Sequence, residues 1–217
     1  MKRKFKFLRF WLLLVLPAVF SSCSKDNDSK HDPLTFDNGV VINGVKWATR
    51  NVNTPGTFVA NPEYCGMFYQ WNRKKAWAIT GGDMTDWDAI IPEGDVWAKA
   101  NDPSPAGWRV PNDAEIRKLL DTDKVNNERV ARFGMIGRKF TDKATGKSIF
   151  LPATGYCCDS HSFFFPLGGS TIHYWSSTAH ESDETKTSAY GLYFYSEVES
   201  RNLSGCVPGF NIRSVAE

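Results

Sequence analysis

The chain has no apolar run long enough to cross a bilayer. The longest, Phe10 to Phe20, is eleven residues, where a spanning helix needs roughly 20. Pro17 weakens it further as a helix. An excess of either charge is also lacking: 26 Lys+Arg face 24 Asp+Glu. There is no Gly-x-Ser-x-Gly elbow for a hydrolase nucleophile, no Cys-x2-Cys pair for a tetrahedral zinc site and no internal repeat for a solenoid. Histidine is scarce, with only His31, His161, His173 and His180. Ser176 and Ser177 lie near His173 and His180 in sequence, but hydroxyl-rich strand ends are ordinary and no triad pattern accompanies them.

What is present starts with Lys2, Arg3, Lys4, Lys6 and Arg9, then the apolar run, then Ser21-Ser22-Cys23. A basic stretch, a short apolar stretch and small residues make a secretory signal. Ser21-Ser22-Cys23 also resembles a bacterial lipobox, with Phe20 where Leu is usual. The resemblance implies that residues 1–22 are removed and that Cys23 carries a lipid. The following "SKDNDSKHDP" resembles the signal that sends Bacteroidetes-type lipoproteins to the outer face of the outer membrane. Residues 23–38 then form a lipidated polar tether, and residues 39–217 form one domain with a sizeable core.

Loss of residues 1–22 removes five basic residues and leaves 21 Lys+Arg against 24 Asp+Glu, a net charge of −3. Such a domain has no electrostatic case for nucleic acid or an anionic membrane surface; its membrane link is the lipid. Seven of the eight Trp and all seven Tyr fall in the domain, enough for a core and for a carbohydrate or peptide contact surface. Cys65, Cys157, Cys158 and Cys206 remain, and export permits disulfides. Vicinal Cys157 and Cys158 pair poorly with each other, so a bridge to Cys65 or Cys206 is expected.

Along the chain, Asn43-Gly44 between two β-rich runs predicts a hairpin over 40–52. "YCGMFYQWN" (64–72) reads as a strand. Residues 73–102 read as a long irregular loop carrying Trp77, Trp87 and Trp97. In "PSPAGWRVPNDAEIRKLL" (103–120), Gly107 permits a turn and Pro111 closes an extended Trp108-Arg109-Val110. Asn112 and Glu115 match a capping box. Ile116, Leu119 and Leu120 form an apolar face, predicting a helix from about 113 to 121. Trp108, Arg109, Asn112 and, downstream, Trp175 are thus structural candidates, Arg109 as a bidentate donor. Segments 147–156, 174–179, 189–198 and 208–217 read as strands. The class is α+β with a mostly antiparallel sheet.

The ordered motifs "MFYQWN", "NDPSPAGWRVPNDAEIRKLL", "LPATGY", "YWSST" and "GFNIRSV" resemble the Fibrobacter succinogenes major paralogous domain family over residues 40–217. That family's fold is similar to the C-type-lectin-like fold. The resemblance implies paired N- and C-terminal strands, one or two helices and long loops. It also implies that Ser104 and Ser214 replace a cysteine pair that bridges the corner to the last strand, a staple worth roughly 2–4 kcal/mol.

For metal, Cys157, Cys158, His161 and His173 have poor tetrahedral spacing. Calcium-binding lectin triplets (Glu-Pro-Asn, Gln-Pro-Asp, Trp-Asn-Asp) are absent, leaving only loop acids such as Asp83, Asp86 and Asp88. No metal or other cofactor is therefore expected. A formylglycine-generating enzyme needs a reactive cysteine pair near the C-terminal strands, where Cys206 stands alone. The reading is a lipid-anchored, surface-exposed outer-membrane lipoprotein. Its domain is a non-catalytic binding or adhesion module for glycan or protein ligands. Formylglycine-generating chemistry and a structural role in a pilus-like assembly are the alternatives. The ligand surface is expected on loops 73–102 and 157–173, away from the paired chain ends, with Trp77, Trp87, Trp97, Phe163, Phe164 and Phe165 as contacts.

Overall fold

The computed structural model describes residues 32–78, 87–92, 94–157, 163–164, 171–180, 188–195, 198–205 and 208–217. Among these residues the fold is α+β, built from antiparallel sheets and one short α-helix. Strands β1 (Val40–Ile42) and β2 (Val45–Trp47) form a hairpin. Its turn residues Asn43 and Gly44 are both left-handed, at φ 46° and 76°, the two-residue geometry that matches strand twist.

Strands β3 (Phe68–Gln70), β4 (Ala76–Trp77) and β5 (Trp108–Arg109) lead to helix α1 (Asp113–Leu119). A meander follows: β6 (Val125–Arg132), β7 (Met135–Asp142) and β8 (Ser148–Pro152). Next come β9 (Tyr156–Cys157), β10 (Phe163–Phe164), β11 (Thr171–Ala179), β12 (Ser188–Tyr195) and β13 (Val198–Gly205). The chain closes with β14 (Gly209–Phe210) and β15 (Val215–Ala216). The sheet orders are β1-β2-β15-β5, β10-β9-β14-β3-β4, β11-β12-β13 and β6-β7-β8. Val215 lies opposite Trp47 on one side and Arg109 on the other, so the entering and leaving strands are neighbours.

Three readings of the sequence are corrected. Residues 189–198 are not one strand: β12 and β13 pair antiparallel, from Ser188 opposite Gly205 to Tyr195 opposite Val198. Period-two alternation reads the same along one strand as along the joined ends of two. Residues 208–217 divide between two sheets, because Asn211, Arg213 and Ser214 turn into buried polar contacts between β14 and β15. Residues 32–38 are not free tether. Buried Asp37 accepts from Thr49 N–H and Oγ1 (2.8 Å for the hydroxyl) and pairs with Arg50 at 3.2 Å. Arg50 also donates to the carbonyls of Pro33, Phe36 and Val59.

Among the described residues the two larger core clusters stand beside a smaller one of Phe68, Trp77 and Cys157. One of the larger two gathers Trp47, Ile116, Leu119, Phe140, Leu151, Leu192 and Phe194. The other gathers Phe58, Trp71, Trp97, Trp108, Trp175 and Phe210. Each fully buried large side chain contributes about 1.5–3 kcal/mol by leaving water. Trp175 also donates to Tyr69 O at 2.7 Å, and Trp71 to Ser176 O at 2.9 Å.

The Trp-Arg-Val stretch is a corner of this frame. Gly107 turns at φ 80°, and Trp108 buries edge-on to Phe58 with ring centres 5.7 Å apart. Asn112 Oδ1 accepts from Glu115 N–H at 2.9 Å, and Glu115 Oε2 accepts from Asn112 N–H at 2.8 Å. Arg109 grips the same carboxylate with two bonds, 2.9 and 2.6 Å. Burial pushes the Glu115 carboxyl up, but the Arg109 and Asn112 donors outweigh it and hold the group below its ordinary value. Helix and corner are locked by one carboxylate.

Candidate functional site

The aromatic residues singled out in the loops do not form an exposed patch where the structure describes them. Trp77 and Trp97 are each only 7 % exposed. Trp97 is sewn to β11: its N–H reaches Ser177 O at 2.8 Å, and its indole donates to Asn101 O at 3.0 Å. Trp77 stands opposite Phe68 in the β3–β4 pair, with half-buried Trp87 packed on it at 5.0 Å between ring centres. Loop tryptophans of this size serve first as anchors to the core. Phe163 and Phe164 are backbone partners of Cys157 and Tyr156 in β10–β9. Phe165, Asp83, Asp86, His161, Cys23, Cys158 and Cys206 lie outside the described residues.

The other candidate groups are engaged structurally. Asp88 pairs with Arg73 at 2.8 Å. His173 sits among the rings of Tyr156, Tyr193 and Phe210, 4.5, 4.9 and 5.1 Å away. Burial holds its imidazole down at about 3. Cys65 is an unbridged thiol that burial pushes up to about 12, so it supplies no thiolate near neutral pH. It borders a buried polar network in which Arg213 Nε donates to Asn51 Oδ1 at 2.9 Å and Asn51 Nδ2 donates to Tyr174 Oη at 3.0 Å.

A hollow of about 560 Å³ lies at the corner, bounded by Trp97, Asp102, Trp108, Arg109, Ser177 and Glu217. Its charges are already used. Asp102 accepts from Ser104 and Val110 N–H, Arg109 holds Glu115, and Lys99 pairs with Glu217 at 3.1 Å. This hollow belongs to the frame.

A different cleft is rimmed by exposed aromatic rings. Two tight turns face each other across about 680 Å³. The first is Asn61-Pro62-Glu63-Tyr64, closed by Tyr64 N–H to Asn61 O at 3.1 Å. Asn at the first position and Pro at the second suit such a turn. The second is the β6–β7 tip, where Arg132 opposite Met135 encloses Phe133-Gly134 at φ 46° and 82°. Each turn supplies a charge followed by an aromatic ring. Glu63 and Arg132 join across the gap at 2.6 Å. Tyr64 and Phe133 are left outside, 55 % and 86 % exposed.

Tyr64 also borders a second hollow of about 450 Å³ walled by Leu34, Val59, Met67 and Ala78. The cleft thus adjoins the entering segment and does not lie on loops 73–102 or 157–173. Sequence reasoning misses it. The Asn-Pro pair was a legible turn signal, but Phe-Gly lacks the Asn or Asp that marks a hairpin turn, and ion pairing across 69 residues leaves no local pattern. Compared with protein-family models, curated proteins and solved structures, the chain matches none.

Proposed function

We propose that the chain is a surface lipoprotein of a bacterial outer membrane, anchored by lipid on Cys23. Its domain would be C-type-lectin-like and would act as a non-catalytic binding or adhesion module for glycan or protein ligands. The observation that carries the binding role is the pair of exposed rings, Tyr64 and Phe133, rimming one cleft. Exposed aromatics grouped around a hollow mark interaction surfaces. The neighbouring first and last strands, with the ordered motifs, support the fold assignment. Among the described residues no helix is long and apolar enough to cross a membrane, which is compatible with attachment by lipid.

The test uses the full-length chain in detergent on an array of immobilised glycans and purified extracellular-matrix proteins. In parallel, a cysteine-containing peptide is incubated with the chain and copper. Saturable binding without peptide oxidation is expected. Oxidation of the peptide, or no binding on the array, would contradict the reading. For the anchor, Cys23→Ala should abolish palmitate labelling of the chain in cells; a variant that still labels contradicts the assignment.

A further inference from the structure

We infer that the Glu63–Arg132 cleft takes a neutral, hydroxyl-rich ligand, a stretch of glycan chain, with Phe133 and Tyr64 as stacking platforms. The inference rests on the binding-module reading and names the ligand class of that site. Its first support is Phe133. The two-residue turn needs left-handed backbone, which Asn, Asp and Gly adopt readily and a bulky ring does not. At φ 46° Phe133 breaks that preference, and the residue is 86 % exposed. Among the described residues it joins no core cluster, and the Arg132 guanidinium lies over its ring at 5.7 Å. A strained backbone and an exposed apolar ring, with no gain inside the fold, point to selection for something outside it.

The second support is the polar complement. The ion pair uses Arg132 Nε and Glu63 Oε1. The Glu63 carboxylate is buried and braces the guanidinium, while the Arg132 side chain stays about half exposed (48 %) with further N–H groups that can donate. Exposed Asn61 adds an amide with both capacities. The pair has no net charge, so the cleft offers little to an anion, yet it presents fixed donors and acceptors to hydroxyl groups. A sugar ring has apolar C–H faces and a hydroxyl edge, which match a ring platform beside such a pair. An apolar protein knob seated over Phe133 would desolvate the half-exposed Arg132 guanidinium and exposed Asn61 without replacing their water contacts. A hollow of about 680 Å³ suits a short stretch of chain.

The experiment titrates the full-length chain, in a detergent without a sugar headgroup, with maltohexaose, cellohexaose, chitohexaose and a sulfated heparin hexasaccharide. Saturable binding of at least one neutral oligosaccharide, and weaker binding of the sulfated one, is expected. Phe133→Asn keeps the turn residue that the backbone prefers and removes the ring. It should weaken neutral binding by roughly tenfold or more without lowering the melting temperature. Glu63→Gln frees the Arg132 cation and should shift preference toward the sulfated probe. Parent-like binding by Phe133→Asn overturns the inference, as does stronger sulfated than neutral binding by the parent. A parent that binds a protein on the array but no oligosaccharide overturns the glycan assignment and leaves the binding-module reading standing. A parent that binds nothing overturns both.

Discussion

Ser104 Oγ and Ser214 Oγ are hydrogen-bonded at 2.7 Å, joining positions 110 residues apart in sequence. The bond ties the loop before the corner to the residue that leads into the last strand. Two side chains in such contact are within reach of a disulfide after small adjustments. Ser104→Cys with Ser214→Cys should therefore oxidise spontaneously and stabilise the chain by about 2–4 kcal/mol. The check is the melting temperature of the double variant with and without reductant. Thiols that stay reduced in air, or a melt unchanged by reductant, would contradict the geometry.

The helix start is held by one residue on each side of a carboxylate. Asn112→Ala removes the acceptor for Glu115 N–H and should cost about 1 kcal/mol. Arg109→Ala removes both guanidinium bonds to Glu115, leaving the carboxyl with its burial penalty and fewer donors. Glu115 has a depressed pKa in the fold, so its contribution is present above the ordinary carboxylate range and is lost as pH falls below it. In Arg109→Ala that acid-side loss should shrink. Urea midpoints at neutral and acid pH measure both effects. An acid-side slope equal to the parent's would show that Arg109 does not hold Glu115.

His173 gives the domain a separate pH dependence. In the fold, burial keeps its imidazole neutral down to about pH 3, while its ordinary value is 6.5. Between those values the unfolded chain binds a proton that the folded chain does not. Stability must therefore fall as pH drops below about 6.5, before most carboxylates titrate. His173→Phe, which suits the ring cage of Tyr156, Tyr193 and Phe210, should flatten stability between pH 6.5 and 5. Thermal melts at half-unit pH steps test this; parallel curves for parent and variant would contradict it.

Local rules made much of the frame legible. Asn43-Gly44 marks its hairpin because the turn demands left-handed residues and the sequence supplies them. Asn112 and Glu115 mark the helix start because the cap acts over three residues. The functional side was less legible for the opposite reason. Trp77 and Trp97 have the composition of a contact surface, and only tertiary burial shows them to be anchors. The cleft depends on Glu63 meeting Arg132, a long-range pairing. Its key ring, Phe133, occupies a turn position that its own propensity argues against.

In the proposed division of the molecule, a corner builds the frame and a hairpin tip meets the ligand. Thermal melts and ligand titrations on Trp108→Ala and Phe133→Asn, run side by side, test that division most directly. Trp108→Ala should lose about 3–5 kcal/mol of stability and still bind the array ligand when assayed below its melting temperature. Phe133→Asn should keep or gain stability, by about 1 kcal/mol as the strained turn relaxes, and lose binding. If Trp108→Ala melts like the parent and fails to bind, while Phe133→Asn binds like the parent, the division is contradicted and the corner is the site.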